Sequence, residues 1–149
     1  CRYEHPGAAV VGNMSSDPLY LFMLRQLRSY EQLVKKKVFI LNSLPLLNSP
    51  LQVERSRKLK NMPIEGFMPE SIKEDDEPMR RRTAELAKNC DKCVFYDIRS
   101  MHLNEDGNFM TVDPASQLHY FEKSGHYTAV GLKMIEPVFA KLSKEYGRL

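Results

Sequence analysis

The residues best suited to chemistry fall in one short block, Tyr120-Phe121-Glu122-Lys123-Ser124-Gly125-His126-Tyr127-Thr128-Ala129-Val130-Gly131-Leu132. His126 stands in a predicted loop just ahead of a helix start, with the small residues Ser124 and Gly125 before it. Imidazole titrates near neutrality, so a histidine in such a loop suits general-base work. In an α/β sheet that loop lies at the carboxyl ends of the strands, where ligands bind. The plain alternative is a histidine that only caps or packs the helix start. Ser116 and Ser124 are near His126 in sequence, but neither sits at a strand-to-helix turn that would aim its hydroxyl at a carbonyl. The chain has no glycine-rich phosphate loop, no H-E-x-x-H and no G-x-S-x-G elbow. No cofactor is expected.

The cysteines are Cys1, Cys90 and Cys93. Zinc would require a second pair or histidines at ligand spacing beside Cys90-x-x-Cys93. His102, His119 and His126 do not supply that pattern, so no metal site is expected. Thioredoxin-like chemistry places the pair at a helix start after a strand, whereas here it precedes a strand. A local disulfide in an oxidising compartment is what remains. Asn13-Met14-Ser15 is a glycosylation sequon and fits the same compartment.

The elements that must position these residues follow from periodicity. Asp17-Pro18 reads as an N-cap followed by a first-turn proline. Leu19, Phe22, Met23, Leu27, Tyr30, Leu33 and Val34 then recur at helical spacing, predicting a helix over 18–34. Three lysines at 35–37 close it, cations suited to the C-terminal dipole. The continuous apolar run at 38–41 predicts a strand buried on both faces of a parallel sheet. Prolines at 45, 50, 63, 69 and 78 punctuate a long surface excursion over 42–77, with room for a short helix. A second helix is predicted over 78–88, amphipathic through Met79, Leu86 and Ala87, then a strand over 93–98. Residues 104–108 and Asp113-Pro114 read as turns. The last helix is expected from about 128 to about 146, burying Met134, Ile135, Val138, Phe139 and Leu142. This order predicts an α/β layer fold in which strands 38–41 and 93–98 run parallel.

Apolar residues make up 42% and charged residues 28%, the balance of a globular domain, and no apolar run is long enough to span a bilayer. Net charge is +3. Basic runs at 35–37, 55–60 and 80–82 are read as solvated faces. An acidic run at 74–77 sits beside the last, and no aromatic stripe accompanies any of them. Nucleic acid is not an expected partner.

On these elements the chain resembles a known family. Cys90-x-x-Cys93 leading into residues 94–97, Asp113-Pro114 with residues 118–121, Ser124-Gly125-His126-Tyr127-Thr128 with Gly131-Leu132, and Pro137 are similar to the end of a particular SGNH domain. It is that of nematode membrane acyltransferases of the nose-resistant-to-fluoxetine kind. Arg2-Tyr3 resembles the end of a core strand, and residues 17–45 match in order and spacing. The resemblance implies a three-layer, flavodoxin-like α/β fold with a parallel sheet and flanking helices. Residues 1–149 would be its C-terminal portion, with an irregular insertion at about 42–77. Because the chain begins at Cys1, a fragment or processed product is expected, with the serine and glycine blocks upstream.

SGNH enzymes use a serine nucleophile, oxyanion donors from a glycine and an asparagine, and a D-x-x-H acid and base. The resemblance therefore implies His126 as general base. Lys123 stands at the acid position, and Glu122 is a substitute at the wrong spacing. Asn13, after Gly12, stands for the oxyanion asparagine. A triad acid fixes the histidine tautomer and stabilises imidazolium, whereas a nearby ammonium would oppose it. In that family the domain accompanies a transmembrane acyltransferase domain and faces the lumen or the outside. The expected function is O-acyl transfer or ester hydrolysis in such a parent, acting on an acyl donor or ester, with this chain inactive alone. The alternatives are a degenerate, non-catalytic binding or structural module, or part of a secreted SGNH esterase.

Overall fold

The computed structural model describes residues 12–147, so Cys1, Arg2 and Tyr3 lie outside the described residues. In chain order the main elements are α1 (Pro18–Leu33), β1 (Val38–Leu41), β2 (Leu46–Leu47), α2 (Pro50–Leu59), β3 (Ile72–Glu74), α3 (Glu77–Ala87), β4 (Cys93–Tyr96) and α4 (Ala129–Tyr146). They belong to two compact units, one formed by residues up to Ser43 with Asp76–Tyr96, the other by Leu44–Asp75 with the chain from Asp97 onward. The fold is mixed α/β with a small parallel sheet.

In the first unit Asp17 caps α1, its Oδ1 accepting the Tyr20 N–H at 2.9 Å, with Pro18 in the first turn. The buried face of α1, Tyr20 and Leu27, meets Leu86 of α3 and Cys90, and Ile40 and Phe95 from the strands pack against them. β1 and β4 are parallel, from Val38 opposite Cys93 to Leu41 opposite Tyr96, as the apolar runs predict. Burial of β1 on both faces does not hold. Alternate side chains of a strand face opposite ways, so Ile40 joins the core while Phe39 and Leu41 stay 46% and 43% exposed. Cys90 and Cys93 form the expected disulfide, Cα–Cα 5.4 Å, between the end of α3 and the start of β4.

The solvated reading of the basic runs fails at Arg82. Its Nε and Nη2 donate to Asp17 Oδ2 at 3.0 and 2.8 Å, with both side chains buried. A guanidinium tolerates burial when a carboxylate meets it in this forked geometry.

The second unit corrects the reading of 42–77 as a surface excursion. Val53 of α2 and Met68 form a buried cluster with Val112, and β2 pairs antiparallel with β3. Arg57, another member of a supposedly solvated run, is buried. It donates from Nε to the Pro63 carbonyl at 2.6 Å and from Nη1 to Glu70 at 3.0 Å, clamping a proline-rich stretch that has few backbone bonds of its own. Three antiparallel bridges follow: Leu103 with Phe109, Val112 with His119, and Phe121 with Tyr127. The turns between them form as read. Asn104 Oδ1 accepts the Asn108 N–H at 2.8 Å, and Asp113 Oδ2 accepts the Ser116 N–H at 3.0 Å. α4 buries Gly131 and Ile135 but leaves Phe139 43% exposed, against expectation. The aromatic cluster of Phe109, Tyr120 and Phe121 that α4 packs on receives Val130 and Met134, so it meets the start of the helix.

Candidate functional site

Residues 122–126 form the turn between the bridged residues Phe121 and Tyr127. The Glu122 N–H donates to the His126 carbonyl at 2.7 Å, and the Gly125 N–H donates to the Glu122 carbonyl at 2.9 Å. Gly125 sits at φ +81°, a left-handed conformation that side-chain-bearing residues rarely adopt. Thr128 then caps α4, its hydroxyl accepting the Gly131 N–H at 3.2 Å and donating to the His119 carbonyl at 2.7 Å. A Cβ on Gly131 would run into the Tyr120 carbonyl oxygen and lie 2.7 Å from the Tyr127 ring. The first turn of α4 is therefore pressed against the preceding backbone, and the turn before it holds His126 out in solvent.

The Ser124 hydroxyl lies beside the imidazole, with Oγ 2.9 Å from Nδ1. Lys123 and Glu122 are exposed and, among the described residues, neither side chain makes a hydrogen bond or ion pair with the His126 imidazole. Ser116 is engaged elsewhere. Its hydroxyl donates to Asp113 Oδ2 at 2.5 Å and, as the leading cause, holds the Asp113 carboxyl below its ordinary pKa. Asn13 belongs to the other unit, exposed, with Oδ1 accepting the Ser15 N–H at 3.0 Å and the sequon's Ser15 hydroxyl at 2.9 Å. The structure thus brings His126 together with Ser124. It pairs neither the Lys123 nor the Glu122 side chain with the imidazole.

Sequence reasoning leaves the role of His102 unread. It is fully buried and stacks on both Phe109 and Phe121, at centroid distances of 4.5 and 5.0 Å. Its Nδ1 is 3.1 Å from the Met110 carbonyl, and its Nε2 is 2.8 Å from the Tyr127 hydroxyl. A carbonyl only accepts, so Nδ1 carries the proton and Nε2 accepts from Tyr127. Burial pushes the His102 pKa down to about 4 and raises that of the Tyr127 phenol. This neutral pair ties the residue after His126 into the core. No local pattern marks it, because its partners stand eight and twenty-five positions away. His119 has its own acid, Glu54, with Nε2 to Oε1 at 2.6 Å, and that hydrogen bond lowers the Glu54 pKa. Among the described residues no three His, Cys, Asp or Glu side chains converge as metal ligands, and no helix is long and apolar enough to cross a membrane.

Against protein-family models, residues 4–141 match the SGNH domain described as fused to AT3 domains. The chain belongs to that family. The match takes in the sheet of the first unit and the whole His126 loop. No curated protein and no solved structure gives a match to the chain. The neighbour that the His126 loop places beside the imidazole is a hydroxyl rather than a carboxylate.

Proposed function

We propose that this SGNH domain works beside a membrane acyltransferase in O-acyl transfer or ester hydrolysis, that His126 is its retained general base, and that the 149-residue chain turns over no ester alone. The observation carrying this reading is the exposed imidazole, held by a glycine-dependent turn at the start of α4 with one nitrogen turned away from Ser124. Covalent acyl transfer needs a nucleophile, a base beside it and donors aimed at the developing oxyanion. The base is present. The Glu122 and Gly125 N–H groups, which could serve as donors, are spent on carbonyls of the same turn. Residues 1–149 contain no G-x-S-x-G elbow. The likeness to nematode membrane acyltransferases of the nose-resistant-to-fluoxetine kind, placement in the lumen or outside, and a flavodoxin-like three-layer sheet complete the proposal. A disulfide and the exposed sequon at Asn13 support the compartment.

A second reading, a degenerate module that binds or supports its parent without catalysis, draws on the missing acid. Among the described residues neither the Lys123 ammonium nor the Glu122 carboxylate bonds to the His126 imidazole. The test compares this chain with its His126→Ala variant on short-chain aryl esters. Both are expected to stay at the buffer rate. A rate above buffer that disappears in the variant would overturn the claim that the chain alone is inactive.

A further inference from the structure

The acid of a serine hydrolase triad has one geometric task, to accept the Nδ1 proton of the histidine and leave Nε2 free to take a proton from the nucleophile. Whatever sits at Nδ1 therefore decides whether the ring can act as a base at Nε2. In this chain that neighbour is Ser124, and the turn leaves it little freedom. The Gly125 N–H to Glu122 carbonyl bond and the Glu122 N–H to His126 carbonyl bond close the loop from both sides. The left-handed Gly125 lies between Ser124 and His126, and their side chains meet at 2.9 Å.

A carboxylate and a hydroxyl act oppositely at this position. A carboxylate can only accept and draws the proton to Nδ1. A serine hydroxyl can also donate, and a lone pair on Nδ1 is its ready acceptor. Among the described residues Ser124 Oγ has no other hydrogen-bond partner. Neutral imidazole in water already favours the form protonated at Nε2, and the tautomer follows the bond made by the other nitrogen. Both influences act in the same direction.

We infer that Ser124 occupies the place of the triad acid beside His126 and, by donating its hydroxyl proton to Nδ1, holds the imidazole in the Nε2–H form, the wrong tautomer for a base at Nε2. Ser124 is a positioning residue, and its effect is a brake. The functional meaning of that brake rests on the reading of His126 as a general base; the tautomer itself does not. The same geometry predicts the repair. A carboxylate at position 124, rather than at 123, would face Nδ1 and reverse the ring.

The measurement is nitrogen-15 NMR of the imidazole rings in the uniformly labelled chain at pH about 9, where imidazole is neutral. The His126 signals are assigned by their loss in His126→Ala. His126 is expected with a protonated Nε2 and a bare Nδ1. In Ser124→Ala the Nδ1–H share should rise about fivefold, the worth of one neutral hydrogen bond. In Ser124→Asp the Nδ1–H form should become the major one. His102 serves as an internal control of folding, because its buried Nδ1–H form is set by the Met110 carbonyl and should not change. A wild-type His126 protonated mainly at Nδ1, or a tautomer ratio identical in wild type and Ser124→Ala with His102 unchanged, would overturn the inference. The ester assay of His126→Ala bears on the base reading alone, so the two ideas fail separately.

Discussion

Replacing Gly131 by alanine sets helix propensity against packing, and the structure decides the sign. Within a helix, alanine is favoured over glycine by at most about 1 kcal/mol, through backbone entropy. An added methyl at 131 meets the Tyr120 carbonyl oxygen and comes within 2.7 Å of the Tyr127 ring. The first obstacle is backbone and the second is a ring whose hydroxyl is bound to buried His102 at 2.8 Å, so neither yields readily. Overpacking of this kind costs about 1–3 kcal/mol. Because neither obstacle yields, the upper half of that range applies, and the net loss of about 1–2 kcal/mol lowers the melting temperature of a chain of this size by roughly 3–6 °C. Circular dichroism melts and urea titrations of Gly131→Ala would measure it. Gly12→Ala is the control, since a methyl there meets nothing within 4 Å. A Gly131→Ala chain as stable as wild type, or more so, would refute the close approach of α4 to Tyr120.

Two further perturbations test the buried polar groups. Arg82→Met should cost about 3 kcal/mol by stranding the Asp17 carboxylate, and adding Asp17→Asn should recover most of it. Arg82 chiefly, with the Tyr20 N–H, lowers the Asp17 pKa below 3.8. Its contribution is therefore present above about pH 4 and lost as the pH falls through the folded value, and equal acid sensitivity of urea midpoints in wild type and Arg82→Met would contradict this. His102 is native as the neutral form, with a pKa of about 4 against 6.5 unfolded, so stability should decline as the pH falls from about 6.5 to 4 and level off below. That decline amounts to about 3 kcal/mol, and His102→Gln should remove it; an unchanged slope of urea midpoint with pH would count against the buried neutral imidazole.

Features that depend on neighbours in the chain were legible in the residues themselves. Asp17-Pro18 starts α1, Thr128 caps α4, Asn104 and Asp113 fold their turns, and Cys90 reaches Cys93, because each needs only partners a few positions away. The parallel pairing of β1 with β4 was legible as well, since two short apolar runs separated by a helix have few other ways to be buried. What distant residues decide was not legible. Arg82 looked like one charge in a solvated run until Asp17, sixty-five positions away, met it under the surface. Met68 looked like part of a surface loop until Val53 and Val112 closed around it. At the His126 loop the residue types pointed to a base with its acid missing at 123. Only the path of the turn, with a left-handed Gly125 and a backbone bond at each end, placed Ser124 at Nδ1 instead. Residue spacing counts positions along the chain, whereas a proton responds to the atom nearest in space.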